Sequence, residues 1–111
     1  MRKLCITLLL LMSVSYSAIA KPTWHSDKIT RVYPLGEGGF VITFANNSPS
    51  CTNASRPKYH YVVVGQNGVT EEGIEFLYSA ALTAAASGKT VDINFDANSS
   101  SCYINRLSVN F

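Results

Sequence analysis

The sequence predicts an α+β fold that is mainly β, with five strands and one helix in the order β-β-β-α-β-β. Three observations carry this expectation. Branched and aromatic residues alternate with polar ones in several short stretches, the period of a half-buried strand. One stretch alone, over 71–87, repeats its apolar residues at helical spacing. Segments rich in Gly, Asn and Ser separate these runs at short intervals, so the pattern holds one domain without repeat or linker.

Lys21 to Lys28 is polar, contains Pro22 and Trp24, and reads as an N-terminal arm. Ile29-Thr30-Arg31-Val32-Tyr33-Pro34-Leu35 alternates as a first strand, with Pro34 marking its end or an edge. Gly36-Glu37-Gly38-Gly39 is a turn, and Phe40-Val41-Ile42-Thr43-Phe44 returns as the second strand of a hairpin. Asn46 to Pro57 is a loop of Asn, Ser, Thr and Pro around Cys51. Lys58-Tyr59-His60-Tyr61-Val62-Val63-Val64 is the third strand, and Gln66-Asn67-Gly68 turns it into the helix.

Thr70 is placed to cap that helix, and Glu71 and Glu72 favour the positive end of its dipole. Ile74, Leu77, Tyr78, Ala81, Leu82 and Ala85 recur along one helical face. Gly88 ends the helix in the left-handed conformation open to glycine. Val91, Ile93 and Phe95 face inward from a fourth strand, and Asp96 to Ser101 is a polar turn. In the last strand, Tyr103 to Phe111, the apolar parity changes, which predicts a bulge near Asn105-Arg106. This element order is that of a five-stranded OB-like Greek-key barrel. A single continuous sheet with the helix on one face has the same order.

The first residues read as a cleavable signal peptide over 1–20. Arg2 and Lys3 precede a nearly unbroken apolar run from Leu4 to Val14, and Ala18 and Ala20 form a small-x-small cleavage site. The run falls short of the ~20 residues needed to span a bilayer, so no membrane span is expected. Residues 21–111 are then a single exported domain, periplasmic or extracellular. Losing Arg2 and Lys3 leaves seven Lys and Arg against seven Asp and Glu. A neutral domain lacks the electrostatic excess that drives binding to nucleic acid.

Cys5 leaves with the signal, so Cys51 and Cys102 form the one possible disulfide. Two thiols alone make a poor metal site, and no Cys-x-x-Cys spacing is present. No metal or cofactor is therefore expected. His25 and His60 are the only histidines, and alternation sets His60 on the face opposite Tyr59 and Tyr61. Neither a Gly-x-Ser-x-Gly motif nor a Gly-rich phosphate loop occurs, and Asp92 and Asp96 lack the spacing of a glycosidase pair. A non-catalytic role follows. The ligand-binding candidates are Trp24, Ser50, Tyr59 and Tyr61. Aromatic faces stack on sugar C–H faces, and the amide- and hydroxyl-rich loop at 46–53 offers directional hydrogen bonds.

The cleaved signal, the hairpin, a cysteine before the third strand and the Ala- and Tyr-bearing helix together resemble the B subunits of AB5 toxins of the subtilase-cytotoxin and pertussis-like branch. The junction Ala86-Ser87-Gly88-Lys89-Thr90-Val91-Asp92-Ile93 is similar to the helix-to-strand junction of those subunits. The closing Ser101-Cys102-Tyr103-Ile104-Asn105-Arg106-Leu107-Ser108-Val109 also resembles the last strand of many small secreted Gram-negative proteins. The resemblance implies an OB-type barrel, a ring-shaped homo-oligomer (a pentamer) beside a catalytic A subunit, and glycan binding. Ser48, Ser50 and Ser55 lie in a loop without fixed register, so no sugar-binding serine is carried over. The sequence thus leads to an exported binding module for glycan or protein. The alternative is a stand-alone structural or inhibitory protein with one protein partner.

Overall fold

The computed structural model describes residues 19–111, so Cys5 and nearly all of the expected signal peptide lie outside the described residues. Five strands and one helix follow: β1 (Pro22–Pro34), β2 (Phe40–Phe44), β3 (His60–Val62), α1 (Glu71–Ser87), β4 (Thr90–Asp96) and β5 (Ile104–Val109). The strands form one antiparallel sheet in the order β3-β2-β1-β4-β5. The fold is therefore mostly β with one helix, in the expected element order.

β1 organises the sheet. Its first half pairs with β4, from Pro22 opposite Asp96 to Lys28 opposite Thr90. Its second half pairs with β2, from Arg31 opposite Thr43 to Pro34 opposite Phe40. The register shifts between Ile29 and Arg31. That bulge reverses the alternation, so Ile29 and then Val32 both pack toward the core. Residues 22–28, expected as an irregular arm, are instead the first half of this strand. Their alternation is weak because His25 and Asp27 stand where apolar residues usually would. The β4 ladder supplies the pairing that composition does not announce.

The sheet is not closed into a barrel. Among the described residues the edge strands β3 and β5 share no ladder. The Tyr61 amide donates to the Ser101 carbonyl at 3.1 Å, and the Cys51–Cys102 disulfide joins the same two edges with Cα atoms 5.8 Å apart. β3 keeps only three residues, too short to extend that contact. The expected disulfide is thus formed.

The helix follows its sequence signals closely. Thr70 Oγ1 accepts the Gly73 amide at 2.9 Å, and Gly88 takes φ 65° while its amide bonds back into the last turn. Ala81 and Ala84 are fully buried, with Ile74, Leu77, Tyr78 and Ala85 packed against the core beside them. Leu82, expected on this face, is largely exposed, and Ala84 takes the inner position. A small residue there lets the helix approach the sheet closely. The core holds Phe40, Ile42 and Phe44 of β2, Val62, Val91, Ile93, Phe95 and Ile104. The bulge expected near Asn105-Arg106 is present: Asn94 faces Arg106 while Phe95 faces Ile104, leaving Asn105 unpaired.

Candidate functional site

Register fixes which side chains share the outer face of the sheet, because residues directly opposite in an antiparallel pair point the same way. Across β1, β4 and β5 one row reads Trp24–Asn94–Arg106, and the next reads Ser26–Asp92–Ser108. The inner partners in the same strands are His25, Ile93 and Leu107. The outer face of this half-sheet is therefore polar around a single large aromatic group. The Trp24 side chain is 61% exposed.

Trp24 lines a pocket of about 310 Å³ with Pro22, Asn67, Asn94, Asn105 and Arg106. Two of these amides are locked to the backbone. The Asn67 Nδ2 donates to the Tyr103 carbonyl at 2.8 Å, and the Asn105 Nδ2 donates to the Asn67 carbonyl at 2.5 Å. Asn67 adopts φ 52° in the turn before the helix, which aims its side chain back at the β5 bulge. The Arg106 Nε–H donates to the Asn105 Oδ1 at 3.3 Å. The bulge at Asn105 thus brings a guanidinium and three amides to one rim.

Asp92 stands one row away. It accepts from the Ser26 hydroxyl and from the Asn110 amide at 3.1 Å. These bonds, Ser26 first, hold its carboxyl below the usual carboxylate range. The platform therefore carries a fixed anion beside the Arg106 cation.

A second, largely apolar groove of about 490 Å³ is lined by Val69, Phe76, Leu77 and Leu107 and shares Trp24, Asn105 and Arg106 with that pocket. Phe76 is 78% exposed on the helix.

The other candidates lie elsewhere. Tyr59 and Tyr61 belong to an aromatic strip with Tyr33 and Tyr103, whose neighbouring ring centroids are 6.1–6.4 Å apart and edge-to-face. Tyr33 and Tyr61 flank Val41 in register on the outer face of the β2 half, and Val41 is fully buried. The strip covers that half-sheet. Ser50 is exposed in the loop and lines neither the Trp24 pocket nor the strip. A separate hollow in this loop is lined by Asn47, Asn53, Ser55, Arg56 and Lys58. The Asn53 Oδ1 accepts the Ser55 and Tyr59 amides at 3.0 and 3.1 Å, which makes it a loop brace.

His60 is the residue that sequence reasoning placed least well. Alternation put it on the face opposite Tyr61, which is correct, but alternation did not show that it is buried at 1% exposure. Its ring meets Phe95 and Phe44 edge-on at 4.7 and 5.2 Å, and stacks on His25 at 6.4 Å. Burial pushes its pKa down to about 4, with His25 and Lys58 adding to the effect and the Cys102 backbone opposing it. The imidazole is therefore neutral at physiological pH. Among the described residues no helix is long and apolar enough to cross a membrane. No family model matches the chain, and no curated protein matches it either.

Proposed function

We propose that the chain is an exported, non-catalytic binding module that holds a sugar ring against the exposed indole of Trp24. The observation that carries this is the row Trp24–Asn94–Arg106 across three strands, beside a pocket of about 310 Å³. An indole offers a flat apolar face to pyranose C–H groups. Asn94 supplies both a donor and an acceptor, and Arg106 a planar set of donors, as hydroxyl groups require. The locked amides of Asn67 and Asn105 keep the rim rigid, which lowers the ordering cost of binding. This reading takes in the resemblance to toxin B subunits. It includes an OB-type strand order opened between β3 and β5, a pentameric ring, and a catalytic partner subunit. The even charge balance of residues 21–111 favours neutral or weakly charged ligands over nucleic acid.

The test is a glycan array on the purified protein, followed by titration of any hit. Trp24 is the only tryptophan, so its fluorescence reports on the site directly. Binding should change that signal, and Trp24→Ala should weaken affinity by about tenfold or more. An array without hits, together with a monomeric native mass, overturns the reading.

Phe76 favours a second reading. A phenylalanine this exposed beside an apolar groove is suited to burial by a protein chain. In that case the chain is a stand-alone structural or inhibitory protein, and Phe76→Ser abolishes partner capture while leaving sugar titrations unchanged.

A further inference from the structure

Cys51, His60 and Cys102 meet in the core, each at most 1% exposed. One donor atom from each lies within 4.8 Å of the others. Their placement differs in a useful way: the imidazole is held on β3, whereas both cysteines lie in loops. His60 also carries an unexplained polar atom. Its Nδ1 is buried without a hydrogen-bond partner among the described residues. A buried polar atom without a partner is costly to keep, and the surrounding Phe44 and Phe95 rings do not satisfy it. An apolar side chain at this position would avoid that cost.

We propose that, once a dithiol reductant opens the disulfide, Cys51, Cys102 and His60 form a three-donor site for a thiophilic divalent cation, zinc above all. The balance is simple. The dithiol gives two electrons and two protons to the Cys51–Cys102 bond and becomes a cyclic disulfide, leaving two protein thiols. Zinc then displaces one proton from each thiol and is held by two thiolates and one neutral imidazole. Three protein donors leave one tetrahedral position for water or another small ligand.

The geometry suits this set. Zinc–sulfur and zinc–nitrogen bonds of about 2.3 and 2.0 Å place donor atoms within about 4 Å of each other. The two sulfurs are joined in the disulfide, and the His60 ring places a nitrogen within 4.8 Å of them. With Cα atoms 5.8 Å apart, rotation of the two cysteine side chains separates the sulfurs while β3 keeps the imidazole fixed. Metal and disulfide are mutually exclusive occupants of one position. The site therefore gives the reduced chain a second way to tie its β3 and β5 edges together.

The test uses the purified protein, reduced with dithiothreitol and desalted without oxygen. Cobalt(II) should bind the reduced form one-to-one with thiolate charge-transfer absorption, and zinc should displace it. Zinc should slow alkylation of the two thiols by about tenfold or more. X-ray absorption on the zinc-loaded, unsubstituted protein should show two sulfur donors and at least one imidazole nitrogen. His60→Gln should lower zinc affinity by about tenfold or more; if that variant does not fold, the absorption spectrum decides. A reduced, folded protein that takes up neither metal overturns the proposal. So does a zinc shell without imidazole, equal uptake by the oxidised protein, or a reduced chain that unfolds and is not restored by zinc.

Discussion

The two halves of the sheet share β1 and differ in what covers their outer faces. In the β2–β3 half, every residue of Phe40–Phe44 is buried, and on the side away from the core Tyr33 and Tyr61 flank Val41. In the β4–β5 half, β4 alternates strictly between buried and half-buried residues, and the outer face carries exposed Trp24 and Arg106 beside half-buried Asn94 and Asp92. One half is sheathed and the other is a platform. A strand covered on both faces reads as a continuous apolar run, FVITF, while one covered on a single face reads as alternation, TVDINFD. The proposed sugar site lies on the second kind. Stability resides more in the first, where the disulfide ties β3 to the approach of β5.

The sharpest way to break this comparison is to cut that tie. Cys51 and Cys102 close a loop with a sequence separation of 51. Replacing both with Ser should cost about 4 kcal/mol in the chain-entropy account, read by denaturant unfolding. Hydrogen exchange should show the β3 and β5 edges losing protection first, while the β1–β4 ladder keeps most of its own. Uniform loss across the sheet contradicts the view that the halves meet only weakly along that side.

The second effect comes from His60. Its pKa is about 4 in the folded chain, against 6.5 ordinarily. Above about pH 6.5 both folded and unfolded forms are neutral, and the stability is fully present. As pH falls below 6.5 the unfolded chain takes up a proton that the folded core refuses. Stability therefore drops until about pH 4, where the folded form protonates too. The difference amounts to roughly 3 kcal/mol. His25 and Lys58 push in the same direction. Unfolding free energy measured between pH 7 and 4 should fall by about this amount, and His60→Phe should flatten the profile.

How much of this was legible in the sequence depends on where each partner came from. The helix was legible in its bounds and caps, because Thr70, Gly88 and the apolar spacing act within one element, although Leu82 turns outward where Ala84 packs inside. The Asn105 bulge was legible from a change of parity within one strand. The first half of β1 was not. Thr23, His25 and Asp27 are ordered by pairing with Phe95, Ile93 and Val91, and nothing local signals that. The site divides in the same way. Trp24 stood out as an aromatic residue in a polar stretch, but Asn94 and Arg106 reach it from two other strands, and only the register supplies them. Ser50 was drawn from loop composition, which says little about where a loop side chain ends up. His60 was placed on the correct face, yet its seat beside the disulfide needed the third dimension.

The helix sharpens the comparison at smaller scale, since α1 packs on the core side that both halves share. Removing its cap by Thr70→Ala leaves the Gly73 amide without its acceptor and should cost about 1 kcal/mol. Thermal unfolding should still be a single transition, because the cap lies outside the ladders of both halves.

The smallest expected change in stability comes from the largest side chain. Trp24→Ala removes an indole that is mostly exposed over the platform, so unfolding free energy should move by less than about 0.5 kcal/mol. Tyr61→Ala is a smaller deletion by volume, yet it uncovers Val41 and breaks the edge-to-face chain between Tyr59 and Tyr103. It should cost about 2 kcal/mol or more. Side-chain size alone predicts the reverse order, so paired denaturation curves separate the two accounts. If Trp24→Ala proves the more damaging substitution, the indole is a packing element and the platform loses its claim to a ligand. If the order holds, Trp24 is a large aromatic group that contributes little to folding, as the proposed sugar platform requires.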